Sequence, residues 1–170
     1  MAADIQRKNY FSLIWVKEGN GKVKADFTEY DFESGSLFAF SPYQPYMLSS
    51  DKPVKGIAIY FHSDFFCIHK HHKEVSCNGV LYNNAYQPPF VKVNETSAAT
   101  FEMLCEQMKM EMQNPALAQY ELLVSYLKIF LITALFCFAA VWAFGQAKPY
   151  YSQYILNNYI LNPGLTGIEN

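Results

Sequence analysis

A mainly β fold carrying a helix pair, followed by an apolar helix and an irregular tail, is what this sequence predicts. Three observations predict it. Short aromatic and β-branched runs recur between turn signals over residues 1–93, at the spacing of about 8–12 residues that marks a sandwich or small barrel. Two amphipathic stripes follow between Ala98 and Leu131, with apolar residues three and four apart. From Leu131 to Phe144 fourteen residues then pass without a charge, and a Tyr/Asn/Pro-rich tail closes the chain.

Each strand has its own warrant. Phe11-Ser12-Leu13-Ile14-Trp15-Val16 is β-branched and aromatic and ends at Glu18-Gly19-Asn20-Gly21, whose Asn-Gly pair suits a tight hairpin turn. Val23 to Phe27 alternates cleanly after it, and Tyr30-Asp31-Phe32 is a short third strand. Glu33-Ser34-Gly35 turns the chain into Ser36-Leu37-Phe38-Ala39-Phe40. Ser41 to Tyr46 reads as a loop, since Pro42 and Pro45 fix φ and cannot donate to a ladder. Val54 to His62 is the longest apolar strand, and Leu81 to Val93 holds a final one broken at Pro88-Pro89. Asp64 to His72 reads as a short helix capped by Ser63.

The helices are legible from their stripes. Ala98, Phe101, Leu104, Met108 and Met112 mark the first, and Leu117, Tyr120, Leu123, Leu127 and Phe130 or Leu131 the second. Asn114-Pro115 ends one and starts the other, and so short a turn makes them antiparallel.

Composition excludes several functions. At 170 residues the chain is one domain plus an appendage, since domains run roughly 100–200 residues. Its 51% hydrophobic and 17% aromatic content fills a core and leaves rings to line a cavity. A net charge of −2 with thirteen scattered Lys and Arg gives no basic stripe, so direct nucleic-acid binding is not expected. Cys67, Cys77, Cys105 and Cys137 form no C-x-x-C pair, which argues for free thiols in a reducing cytosol and against structural zinc. The amino terminus has no apolar leader, so residues 1–130 read as cytoplasmic.

Residues 5–130 resemble the amino-terminal cupin-like (jelly-roll) sensor domain of AraC-type transcription regulators. The resemblance rests on the hairpin strands around Gly35-Ser36-Leu37-Phe38-Ala39-Phe40-Ser41-Pro42 and the closing helix pair. Phe61-His62-Ser63-Asp64-Phe65-Phe66 and Met112-Gln113-Asn114-Pro115-Ala116-Leu117 look like the versions found in Bacteroidetes-type bacteria. It implies a small-molecule effector inside a barrel and a homodimer formed through the helix pair, with Leu117, Tyr120, Leu123 and Leu127 as the dimerisation residues. The family reads DNA with two helix-turn-helix units, which need roughly 100 further residues; forty follow Phe130. The expectation is a regulator's sensor half without its DNA-reading half. Metal-using cupins hold their ion with a His-x-His pair and a Glu near the second hairpin. Lys22 to Tyr46 contains no histidine, so neither a metal nor another cofactor is expected.

The histidine cluster His69-Lys70-His71-His72 reads as a solvated basic helix end rather than a metal site, because Lys70 and Lys73 would repel a cation. Ala58, Tyr60 and His62 share one wall of their strand and Ile57, Ile59 and Phe61 the other. Which wall faces inward stays open. Phe11, Leu13 and Trp15 share a face of the first strand, and Phe38 and Phe40 a face of another. Inward rings with a few polar tips either line a small-molecule pocket or form an ordinary aromatic core. Trp15, Tyr46, Tyr60 and His62 are the candidate ligand contacts. No nucleophile–base pair, phosphate-cradling glycine loop or carboxylate pair is present, so no catalytic residue is assigned and the chain is not read as an enzyme.

The last forty residues read differently. Lys128, the apolar run to Phe144 and Gly145-Gln146-Ala147 have the order of a secretory signal. Lys148 to Tyr154, Asn157-Asn158-Tyr159 and Asn162 to Gly167 look like the start of PorP/SprF-family proteins, membrane components linked to type IX secretion and gliding. Four segments result: a barrel over 1–93, a dimerisation helix pair over 94–130, a signal-like or membrane helix over 131–147, and a PorP/SprF-like fragment over 148–170. A fusion at about residue 131 is the favoured account. An inner-membrane anchor is the alternative, since 129–147 is uncharged for nineteen residues. Extension of the second helix into a core is disfavoured by the all-round apolarity of the run.

Overall fold

The computed structural model describes residues 5–6, 8–66, 81–82, 88–114 and 117–145, the last five as backbone only. Seven strands lead into two helices: β1 (Phe11–Glu18), β2 (Gly21–Ala25), β3 (Thr28–Phe32), β4 (Ser36–Phe40), β5 (Tyr46–Ser49), β6 (Lys55–Phe61), β7 (Phe90–Lys92), α1 (Glu95–Gln113) and α2 (Gln119–Gly145). They form two antiparallel sheets, β6-β1-β4-β7 and β3-β2-β5. Residues 1–140 make one compact unit, and 141–170 a second.

Alternation along β1 divides its side chains between two cores. Ile14 and Val16 face the second sheet, where Phe32, Phe38, Phe40, Tyr46 and Val23 meet them. Phe11, Leu13 and Trp15 point the other way and pack with Leu37, Val91, Phe61 and the helices. The molecule is therefore layered sheet, sheet, helices. The helix layer is seated by Phe101, fully buried, which stacks on Phe130 at 4.2 Å and meets Trp15 edge-on at 5.8 Å. Gln119 at the start of α2 donates to the Glu111 carbonyl near the end of α1, while Phe130 further along α2 meets Phe101 nearer the start of α1, so the helices run antiparallel.

Two turns differ from expectation. Gly19-Asn20 does not close a hairpin: β1 pairs with β4 and β6, and β2 with β3 and β5. The turn instead carries the chain between sheets. Gly19 holds φ at 109°, and Ser34 Oγ both accepts from its N–H and donates to its carbonyl, each at 3.1 Å. The tight hairpin is one step later, where Ala25 pairs with Thr28 across Asp26-Phe27. Asp26 takes the left-handed conformation (φ 53°), and Phe27, expected inside a strand, is fully exposed at the tip. Tyr46, expected in a loop, opens β5.

The helix boundaries also shift. Asn94 caps α1, its Oδ1 accepting from the Ser97 N–H at 2.8 Å. Substituting Asn94→Ala is expected to cost about 1 kcal/mol, read as a lower urea midpoint at unchanged slope. Asn114 closes α1, but α2 begins only at Gln119, after Ala118 at φ 66°.

The largest correction concerns residue 131. The helix passes through it without interruption to Gly145. Phe130, Leu131, Ala134, Cys137 and Phe138 are all buried in the core beneath the sheet, at the spacing of one helix face. Over Leu131–Phe138 the run extends the second helix into a core. Past Lys128 both faces of α2 are apolar, so sidedness there is invisible in composition and appears only where the sheet covers one side. Gln119–Ala140 is long and apolar enough to cross a membrane, yet a third of its most apolar window is already buried within the protein. An anchor over 129–147 would strip that face from the core. The end of the signal-like motif at Gln146-Ala147, the PorP/SprF-like stretch over 148–170 and the cluster His69 to His72 lie outside the described residues.

Candidate functional site

The site begins at the edge strand β6. Tyr60, on the wall shared with Ala58, is 44% exposed on this edge strand. Beside it on β1 sits Ser12, its register partner, fully buried. From the second sheet Tyr46 reaches the same place, 4% exposed, with its ring flat against Phe40 at 4.0 Å. Its hydroxyl is buried without completing a hydrogen bond of good geometry. Burial pushes the phenol up to about 12, against a smaller opposing pull from the Ser12 hydroxyl; the Tyr60 phenol adds a further upward push. One phenol is thus expected to stay un-ionised in an ultraviolet titration until about pH 12, and to vanish from the curve in Tyr46→Phe. The unfolded chain's tyrosine ionises near 10, so this group's contribution to stability is complete below pH 10 and falls as pH rises toward 12.

Charge gathers at the rim. Lys8 Nζ lies 4.5 Å from the centre of the Tyr60 ring and pairs with no described carboxylate. His62, just past β6, contacts Asn9 Nδ2 through Nε2 at 3.2 Å and Asp64 through Nδ1 at 3.1 Å, with Tyr10 edge-on to its ring. Three of the four sequence candidates therefore gather at one mouth of the inter-sheet space. The interior behind them is ring-packed: Phe38 stacks on Phe40, and Phe32 and Phe90 close on Phe38.

Trp15 is elsewhere. It faces the helices and lines an open cleft of about 390 Å³ with Lys17, Gly35, Val93, Ala98, Ala99 and Glu102. Its position one residue out of phase with Ser12 and Ile14 decides this. Sequence reasoning does not single out Lys8 and Ser12: Ser12 is a lone polar residue inside the first strand, and Lys8 lies just before it. Cys105, part-buried beside Glu102, has its thiol pushed up to about 11, mainly by burial; it is no nucleophile at neutral pH. Among the described residues no three His, Cys, Asp or Glu side chains come together to hold a metal.

The expected dimerisation residues separate on inspection. Leu127 is 2% exposed and belongs to the core; Leu123 packs against that core. Leu117 is 98% exposed but precedes α2, and Tyr120 donates to the Phe65 carbonyl at 2.9 Å. Besides Tyr120, which is 52% exposed, the large apolar side chains that α2 shows to solvent among its described residues are Leu122, Ile129 and Phe136, seven residues apart.

Two facing antiparallel sheets mounted on a helix pair define a cupin-like domain. The match to known families is more specific: residues 6–127 fit the AraC-like ligand binding domain, and the chain belongs to that family. Solved structures similar to it include the AraC-like transcriptional activator CuxR, at 11% identity and TM-score 0.49 over 78% of this chain and 43% of that one. Two structures of ToxT from Vibrio cholerae are also similar, one without ligand (13% identity, TM-score 0.48, 77% of this chain and 48% of that one). The other, bound to (E)-4-(8-methylnaphthalen-1-yl)but-3-enoic acid, has 14% identity and TM-score 0.45 over 77% of this chain and 49% of that one. The chain spans less than half the length of each. No curated protein matches it.

Proposed function

We propose that this chain is the effector-sensing and dimerising part of an AraC-type transcription regulator, acting in the cytoplasm and without catalysis. Its effector is a small organic acid with an apolar body, bound at the mouth between the sheets. The observation that carries this is the buried Tyr46 hydroxyl beside Ser12 and Tyr60, with the Lys8 ammonium at the rim. An acceptor entering there meets a hydroxyl with unused hydrogen-bonding capacity, a carboxylate meets Lys8, and an apolar body meets rings. Operator recognition is not assigned to these residues, which present no basic stripe.

The reading predicts thermal stabilisation by 4-phenylbutyrate or decanoate, and none by the corresponding alcohols. A ligand at 100 times its dissociation constant stabilises by about 2.7 kcal/mol. Tyr60→Ala and Lys8→Met, both at accessible positions, should abolish the effect while leaving the unliganded melting temperature nearly unchanged. Equal stabilisation of wild type and both variants, or none by any acid, refutes the site.

Self-association is the second part of the proposal, and it uses a different face from the one the sequence suggested. Leu122, Ile129 and Phe136 repeat every seven residues, the period that keeps an apolar seam facing a partner helix. A second copy of α2 in two-fold array is the occupant such a seam fits.

A further inference from the structure

The cleft beside Trp15 lies on the opposite face of the β6-β1-β4-β7 sheet from the mouth, and the proposed function leaves it unused. We infer that it is a second small-molecule site, taking a compact apolar ring that bears a carboxylate or carboxamide. Its shape follows from small residues: Gly35 at the turn before β4, and Ala98 and Ala99 in the first turns of α1, leave space in front of the indole. At about 390 Å³ it falls within the usual range for small-molecule sites, about 300–1,000 Å³. Val93 and the indole supply apolar surface.

Polar groups fix the ligand class. Trp15 is 6% exposed, and its Nε1–H is buried with no acceptor among the described residues; an indole N–H is a donor only, so a carbonyl or carboxylate oxygen that enters past the indole edge would supply its partner. Lys17 stands at the opening, its Nζ 2.7 Å from Glu102 and 5.8 Å from the Trp15 ring centre. Both members of that pair are substantially solvated, so the link is weak and an incoming carboxylate can exchange with Glu102 for Lys17. A carboxamide supplies the acceptor without the charge.

The test follows the indole Nε1–H resonance by ¹⁵N–¹H correlation spectroscopy, in a Trp142→Phe background that leaves Trp15 as the single tryptophan. Cyclohexanecarboxylate and cyclohexanecarboxamide are the probes. Each is expected to move the resonance saturably. Ala99→Leu, at an exposed position, fills the cleft and should remove both responses. Lys17→Met should weaken the carboxylate by about tenfold, the scale of one charge-assisted contact, and leave the carboxamide unchanged; Glu102→Gln should tighten the carboxylate. Tyr60→Ala should change nothing. No saturable shift with either probe overturns the site, as does a shift that survives Ala99→Leu or disappears in Tyr60→Ala, the last placing the probe in the mouth instead.

Discussion

Phe101→Ala is expected to remove about 3–5 kcal/mol of stability, the usual cost of emptying a fully buried phenylalanine site. Folded domains are stable by only about 5–15 kcal/mol, so this one change removes about a fifth or more of that margin. Phe101 has no solvent exposure, and its ring joins α1 to both Phe130 of α2 and Trp15 of the sheet. No neighbour is placed to fill the space from both sides. Urea unfolding measures the effect as a drop in midpoint at constant slope. Met103→Ala, two positions away and 56% exposed, is the comparison and should stay within about 0.5 kcal/mol. A loss below 1 kcal/mol for Phe101→Ala would mean that the helices are not seated on the sheet as described.

Ile129→Glu with Phe136→Glu should dissociate the proposed dimer to monomer. Both side chains project from α2 into solvent, at 47% and 68% exposure, so the fold tolerates the charge. Within a helix–helix seam the same carboxylates are desolvated opposite apolar residues, and the dimer dissociation constant should rise by about 100-fold or more, two steps of about 1.4 kcal/mol each. Sedimentation velocity across a concentration series reads this directly. A wild type that is monomeric at high micromolar concentration, or a double variant that dimerises like wild type, defeats the proposed seam. Leu127→Glu distinguishes the alternatives: at a residue 2% exposed it should unfold the domain rather than simply dissociate it.

The strands were largely readable because their chemistry is local. β1, β4 and β6 carry β-branched and aromatic residues between turn residues, and each appears within one or two residues of its expected place. β5 was not readable, since Pro42 and Pro45 mark a loop and Tyr46 follows immediately; its strand exists because β2 offers a partner in register. The hairpin was misplaced for a similar reason. Gly19-Asn20-Gly21 has the residues of a tight turn, but which strand a turn leads to depends on pairing energies distributed over the whole sheet.

Part of the site was legible too. Tyr60 and His62 were placed on one wall by period-two alternation, but the direction of that wall needed the second sheet. Trp15 was grouped with them as an aromatic of the same barrel, and the alternation of β1 sends it to the helix side. Leu123, Leu127 and Phe130 stood out as a stripe because strongly apolar residues at helical spacing mark a helix's buried face. The seven-residue series Leu122, Ile129, Phe136 was hidden among other apolar residues until that face was covered.

Composition and periodicity by themselves determined a β domain with two following helices and its aromatic interior, because these depend on residue type and short-range spacing. Tertiary structure alone decided which face of each element is inside. It carried α2 unbroken past residue 131, brought Tyr46 from one sheet to Tyr60 of the other, and left Trp15 beside a cleft. The physical reason is that burial is a property of what covers a residue, and the covering residues here lie tens of positions away along the chain.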